Sequence, residues 1–173
     1  MLLKIVGSLV VILSCSFLGL ILSRDCSRRP QQLRELQTLL QMFENQISYL
    51  SDVLIEAFER VNRVANSETG LIFGRAAEIL GKGEAQSAAN AWEQAVRQCI
   101  RRTALNREDE EVLVEFGKLL GSTDLEGQIK NIRLTMEALR IQEKKAEESR
   151  SKNETMYKSL GILGGIAVVI VLL

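Results

Sequence analysis

The chain has 173 residues, 46% of them hydrophobic, and 22 basic residues balance 22 acidic ones. There is no histidine, which removes the commonest general base, metal ligand and pH switch, and neither sign of charge forms the block that suits nucleic acid. Cys15, Cys26 and Cys99 are an odd count without CxxC spacing, so they make neither a disulfide framework nor a zinc site, and a reducing compartment is the simpler setting.

The apolar residues gather at the two ends. Ile5 to Leu22 is an uncharged run of about 27 Å as helix, close to the thickness of a bilayer's hydrocarbon core, so residues 1–23 are expected to form a transmembrane helix. A cleaved signal peptide fits less well, because the run exceeds a usual signal core and Ser23-Arg24-Asp25 is no small-residue cleavage site. Strongly apolar sequence continues past Cys15 to Leu22, which argues against a lipidated cysteine there.

Pro30, the only proline, sits where a helix can start, and Leu33, Leu36, Leu40, Phe43 and Ile47 then recur at three and four. Ser48 to Ser51 predicts a short break, with Ser51 capping a second helix that buries Leu54, Ala57, Phe58 and Val61. After the loop Asn66 to Gly70, the residues Leu71, Ile72, Ala76, Ile79 and Leu80 mark a third helix, stopped by Gly81-Lys82-Gly83. That triplet is no phosphate loop. Ala76 and Gly83 stand where GxxxxGK[ST] needs glycine and Ser/Thr, and GxGxxG fails at Gln86.

A fourth helix is expected from Ala85 to about Arg102, with Ala88, Ala89, Trp92, Val96 and Cys99 on one side and Ala91, Glu93 and Gln94 around the rest. Trp92 reads as a core anchor. Asn106 can cap a fifth helix from Glu108 to Leu120, with Glu108 to Glu111 at its positive end and Gly121 beyond its last turn. Those acids lack the alternating ligands and glycine of a calcium loop.

Asp124 opens the last helix, whose expected seam is Leu125, Ile129, Ile132, Met136 and Leu139, fading beyond Leu139. Arg140 to Lys158 is polar and helix-forming with no proline or glycine before Gly161, so the helix should run on as a stalk into a second transmembrane helix, residues 158–173. Leu160 to Leu173 spans only about 21 Å, lengthened by Tyr157 at the interface and by snorkelling of Lys158. Gly161 and Gly165 make a GxxxG spacing suited to transmembrane helix packing.

No segment alternates like a strand. The expected fold is all-α: a roughly six-helix antiparallel bundle, residues 24–157, flanked by N- and C-terminal transmembrane helices, the last soluble helix continuous with the second span. Arg24, Arg28, Arg29 and Arg34 follow the first span, and Lys144, Lys145, Arg150, Lys152 and Lys158 precede the second, so the positive-inside rule puts the middle domain in the cytoplasm. On that side Asn153-Glu154-Thr155 would not be glycosylated. No catalytic residue, cofactor or metal is expected, and an enzyme would have to rest on carboxylates such as Glu78, Glu93 or Asp109. Membrane lipid is an expected partner, nucleic acid is not, and homo-oligomers are open to the chain.

Arg29-Pro30 with Leu33-Arg34 and Leu36, Ala91-Trp92-Glu93, Phe116-Gly117 with Leu120-Gly121, and Lys152-Asn153-Glu154 with Lys158-Ser159-Leu160-Gly161 follow in fixed order and spacing. In this the chain resembles, over almost its whole length, the stage III sporulation protein AB family of endospore-forming bacteria. Pro30, Trp92, Phe116, Gly117 and Gly121 match the family as structural residues, while Ser48-Tyr49-Leu50-Ser51 departs from its glycine-containing turn. The resemblance implies a helical domain similar to that of the inner-membrane platform protein of type II secretion and type IV pilus machines. It also implies a place in the secretion-like channel between mother cell and forespore, on the mother-cell side, with other stage III sporulation channel proteins and a cytoplasmic ATPase of the same system as partners. The residues alone leave a second reading, a membrane-tethered signalling or regulatory adaptor acting through the stalk from Asp124 to Lys158.

Overall fold

The computed structural model describes residues 27–48, 54–65 and 67–172. Among the described residues there are six α-helices, one 3-10 turn and no strand. The helices are α1 (27–48), α2 (Leu54–Val64), α3 (Gly70–Gly81), α4 (Ala88–Cys99) followed by the 3-10 turn Ile100–Arg102, α5 (Arg107–Lys118) and α6 (Leu125–Leu172). The chain forms two compact units, Arg29–Lys144 and a second one of Met1–Arg28 with Lys145–Leu173.

In the first unit α1 is already helical at residue 27, so Pro30 lies within the helix and does not open it. The ring is tolerated because Pro30 is among the first four described residues of the helix, where a missing N–H costs little. Leu33, Leu36, Leu39, Leu40, Phe43 and Ile47 form the buried face of α1. Ser48 is still helical, and the rest of the expected break, Tyr49 to Ser51, lies outside the described residues.

Paired residue numbers give the helix directions. Asn62 faces Gly74 across α2 and α3, Arg75 donates to Gln98 at 2.7 Å across α3 and α4, and Trp92 donates to the Leu113 carbonyl at 2.7 Å across α4 and α5. Asn131 donates to the Phe116 carbonyl at 2.9 Å and Gln128 to the Leu119 carbonyl at 2.7 Å, which sets α6 antiparallel to α5. Arg34 with Glu143 and Arg133 with Glu44 set α6 antiparallel to α1 as well. An antiparallel helical bundle results, as the spacing of the apolar residues predicts.

Three expectations need correction. The fourth helix begins at Ala88 and not at Ala85, because Ser87 takes an extended conformation and its hydroxyl accepts from the Asn90 N–H. Its buried face is Ala88, Ala91, Trp92, Ala95 and Val96, so Ala91 is core while Ala89 and Cys99 are half-buried. In α6 the buried stripe is Gln128, Asn131, Ile132, Thr135, Leu139, Gln142 and Ala146, whereas Leu125 is exposed and Ile129 and Met136 are half-buried. The stripe also passes beyond Leu139. Polar side chains can occupy it because each finds a main-chain or side-chain partner on α5, α1 or its own helix.

In the second unit the described backbone of α6 is helical through Leu172, so the helix does continue past Gly161. Here Arg150 pairs with Glu147 at 3.0 Å and the Thr155 hydroxyl donates to the Ser151 carbonyl at 2.9 Å. Among the described residues no helix is long and apolar enough to cross a membrane. The expected first span, residues 1–23, and Cys15 and Cys26 lie outside those residues; Gly161 and Gly165 lie on the helical backbone of α6.

Candidate functional site

The most concentrated polar chemistry lies where the first turns of α1 and α5 meet α6. Asn106 is extended and caps α5, its side-chain oxygen accepting from the Asp109 N–H at 3.0 Å. Asp109 returns the bond, Oδ2 accepting from the Asn106 N–H at 2.9 Å, which completes a capping box. The same carboxylate, 0% exposed, receives a two-pronged ion pair from Arg29, Nε to Oδ2 at 2.8 Å and Nη2 to Oδ1 at 2.9 Å. Nη2 also donates to the Gln142 side chain at 3.3 Å. The pair with Asp109 raises the Arg29 pKa despite the opposing effect of burial. Reading Asp109 only as a helix-start acid misses this role, since its partner lies 80 residues away in the chain. The signal that could have found it is the cap itself, an acid at the third position after Asn106.

Around the cluster α1 is tied down twice more. Gln32 accepts from the Ala104 N–H at 2.7 Å and donates to Glu68 at 2.8 Å, and Thr69 donates to Glu35 at 2.6 Å. These bonds hold the α2–α3 and α4–α5 connections against the first turns of α1. The arrangement fixes helix positions; it leaves Asp109 fully engaged and so unsuited to abstracting a proton from a substrate.

The residues Trp92, Phe116 and Gly117 come together in the core. Phe43, Phe58, Phe73, Phe116 and Trp92 are all buried, with Trp92 centred 5.6 Å from Phe58, 5.0 Å from Phe73 and 5.2 Å from Phe116. Edge-to-face and stacked contacts of this kind add to area burial. Gly117 lies under the indole, where a Cβ would sit 2.5 Å from Trp92 Cδ1. Gly121 takes φ 72° in the turn after α5, a conformation that a side chain resists. Three of the five family-matching positions thus pack together and Gly121 shapes the turn after α5, beside Ala88 and Leu54; Pro30, on α1, is the fifth and is also buried.

Glu78 and Glu93 are also paired. Glu78 lies between Lys82 and Arg75, whose hydrogen bonds hold its pKa below the ordinary value, and Glu93 accepts from Arg97 at 2.8 Å. Lys82 belongs to a helix-ending turn, with the Gly83 N–H donating to the Leu80 carbonyl and the Glu84 N–H to the Ile79 carbonyl. Burial pushes the Cys99 thiol upward, against the opposing fields of Arg102 and Arg75. Among the described residues no cluster of three or more His, Cys, Asp or Glu could hold a metal ion.

Residues 4–173 match the family model for Stage III sporulation protein AB (spore_III_AB). The chain is 32% identical over 171 residues to Stage III sporulation protein AB of Bacillus subtilis (strain 168), covering 99% of both. It is also similar to a solved structure of Stage III sporulation protein AB (SpoIIIAB), with a TM-score of 0.67 and 31% identity over 72% of this chain and 98% of that one.

Proposed function

The chain belongs to the stage III sporulation protein AB family, and on that premise we propose that it is a non-enzymatic membrane platform in a secretion-like channel between mother cell and forespore. The observation that supports this reading is the use to which the buried polar groups are put. Asp109, Gln32 and Asn131 each bind another helix or a connection, so the domain's chemistry serves its shape and its outer helix faces remain for neighbours. In this proposal residues 1–23 and 158–173 span the membrane and hold the domain on its cytoplasmic, mother-cell side. Gly161 and Gly165 would let the second span pack closely against another helix. Neighbouring stage III channel proteins and the system's ATPase are the proposed partners.

Two experiments test it. Deleting the gene should arrest forespore development, and the full chain recovered in mild detergent should bring other channel components with it; intact development together with no retrieved component would sink the platform reading. Tags at both termini and near Lys82, probed with protease on intact cells, should show exposed termini and a protected loop. A cleaved Lys82 loop would reverse the orientation and remove the ATPase contact.

A further inference from the structure

Between Leu125 and Lys144 α6 buries polar residues beside Ile132 and Leu139 and leaves other aliphatic residues outside. Gln128, Asn131, Thr135 and Gln142 are buried, whereas Leu134 and Ile141 are 62% and 60% exposed. The inward residues are held by specific bonds, Gln128 to the Leu119 carbonyl, Asn131 to the Phe116 carbonyl, Thr135 to the Asn131 carbonyl and Gln142 from Arg29. Ile132 and Leu139 serve the core of the bundle, whereas Leu134 and Ile141 have no part in it.

Leu134 and Ile141 are one heptad apart, on a single stripe of the helix and about 10 Å from each other along its axis. Lys130, Arg133, Glu137, Arg140 and Lys144 border them, all exposed. Arg133 is anchored to Glu44 on α1 and Arg140 lies 3.7 Å from Glu137, while Lys130 and Lys144 have no ion-pair partner among the described residues. Arg133 and Arg140 are thus balanced by Glu44 and Glu137, Glu126 lies exposed one turn before Lys130, and Glu143 is turned to Arg34 and Gln37, so Lys130 and Lys144 are the cations of this face without an ion-pair partner among the described residues.

We infer that this stripe docks an acidic amphipathic helix of another protein, with Leu134 and Ile141 as its apolar anchors and Lys130 and Lys144 paired to its carboxylates. Anchors at i and i+7 are the spacing at which a helix reads a helix. Unpaired lysines flanking such anchors select the sign of the partner and reject its opposite. A second copy of this chain is disfavoured because it would set the unpaired Lys130 and Lys144 of one chain against those of the other. A lipid surface is disfavoured because the stretch Leu125 to Lys144 has no aromatic residue and exposes few large apolar ones, where an interfacial helix buries a broad apolar face. The inference rests on the platform reading in one respect, the existence of a protein neighbour, and names the face and the chemistry by which that neighbour is held.

The test replaces Leu134 or Ile141 with a photoreactive amino acid in the full chain, in the sporulating host, and sequences the crosslinked peptide. The expected product is a segment of net negative charge with apolar residues at three-and-four spacing. Its yield should fall about tenfold in the Lys130→Glu/Lys144→Glu variant and recover when two carboxylates of the mapped segment are changed to lysine. Both lysines are exposed, so the variant should keep the buried emission of Trp92, which serves as the control for folding. Crosslinks to lipid, to a second copy or to a segment of another composition would overturn the inference, as would a yield indifferent to Lys130 and Lys144 or no crosslink at all. Continued retrieval of channel components by the full chain would in those cases leave the platform reading standing.

Discussion

Changing Gly117 to alanine sets two opposed effects against each other, and the structure decides between them. In an exposed helix interior the change would stabilise by about 1 kcal/mol, because alanine is the better helix former. Here the new Cβ would stand 2.5 Å from Trp92 Cδ1 and 3.3 Å from Cγ. The indole has nowhere to retreat: Phe58, Phe73 and Phe116 surround it and its N–H is bound to the Leu113 carbonyl at 2.7 Å. Forcing a methyl into such a core costs about 1–3 kcal/mol, and losing the indole hydrogen bond costs about 1 kcal/mol more. The net expectation is a loss of about 1–3 kcal/mol. With a urea slope of about 1–3 kcal/mol/M this moves the midpoint down by about 1 M. Trp92 is the only tryptophan, so the red shift of its emission during urea titration of the detergent-solubilised chain reports the unfolding of this core. A second titration in the Trp92→Phe background, followed by circular dichroism at 222 nm, should show a smaller cost for Gly117→Ala. A midpoint that stays or rises on Gly117→Ala would refute the argument, since the helix-propensity gain would then have prevailed over an unreal clash.

Three further outcomes can be measured by the same means or by simple chemistry. Asp109→Ala should cost about 3–5 kcal/mol, because it removes the capping box of α5 and leaves Arg29 without its carboxylate, and Asp109→Asn should cost less by keeping part of the capping box; equal effects would show that the capping bond of Asp109 contributes nothing. Burial pushes the Glu143 carboxyl upward, but hydrogen bonds from Arg34 and Gln37 outweigh it and hold the pKa below 4.5. A lowered carboxylate pKa gives stability that is complete above 4.5 and is lost as pH falls through the folded value, so the difference between wild type and Glu143→Gln, about 1 kcal/mol or less at pH 7, should vanish in acid. A difference that persists unchanged at pH 3 contradicts this. Cys99, its thiol raised above 9.0 chiefly by burial, should react with iodoacetamide at pH 8 more slowly than a free cysteine when measured in a Cys15→Ser/Cys26→Ser chain; an equal rate would mean that the thiol is open to solvent.

The parts of this fold that could be read from the sequence are those fixed by neighbours close in the chain. Asn106 announces the start of α5 because its cap partner is three residues away, and Leu33 to Ile47 announce the buried face of α1 because apolar spacing and helical period agree. The inward side of α6 was hidden for the opposite reason. Gln128 and Asn131 can be buried only because the last turn of α5 offers the Leu119 and Phe116 carbonyls, and periodicity of apolar residues cannot register that offer. Of the expected seam Ile132 and Leu139 are buried, but Leu125, Ile129 and Met136 yield to hydrogen-bonded Gln128, Asn131 and Thr135. The same limit applies to the cluster at Asp109, whose two partners outside its own cap stand on α1 and, through Arg29, on α6. Serine at position 87 could have marked the true start of α4, but the alanine-rich stretch around it supports helix on both sides.

The bond between Arg29 and Gln142 joins residues 113 positions apart. Such a bond has a consequence for synthesis. As the chain leaves the ribosome, α1 emerges first, yet its partners Asp109, Gln142 and Glu143 emerge last, and until then Arg29 and Arg34 have no carboxylate to meet on those helices. The hairpins α2–α3, α3–α4 and α4–α5 close over short loops and can form early, whereas α1 and α6 must wait for the whole of the domain to be made. The final docking event is therefore the meeting of α1 with α6, so the unit Arg29–Lys144 closes only when its first and last helices are both made.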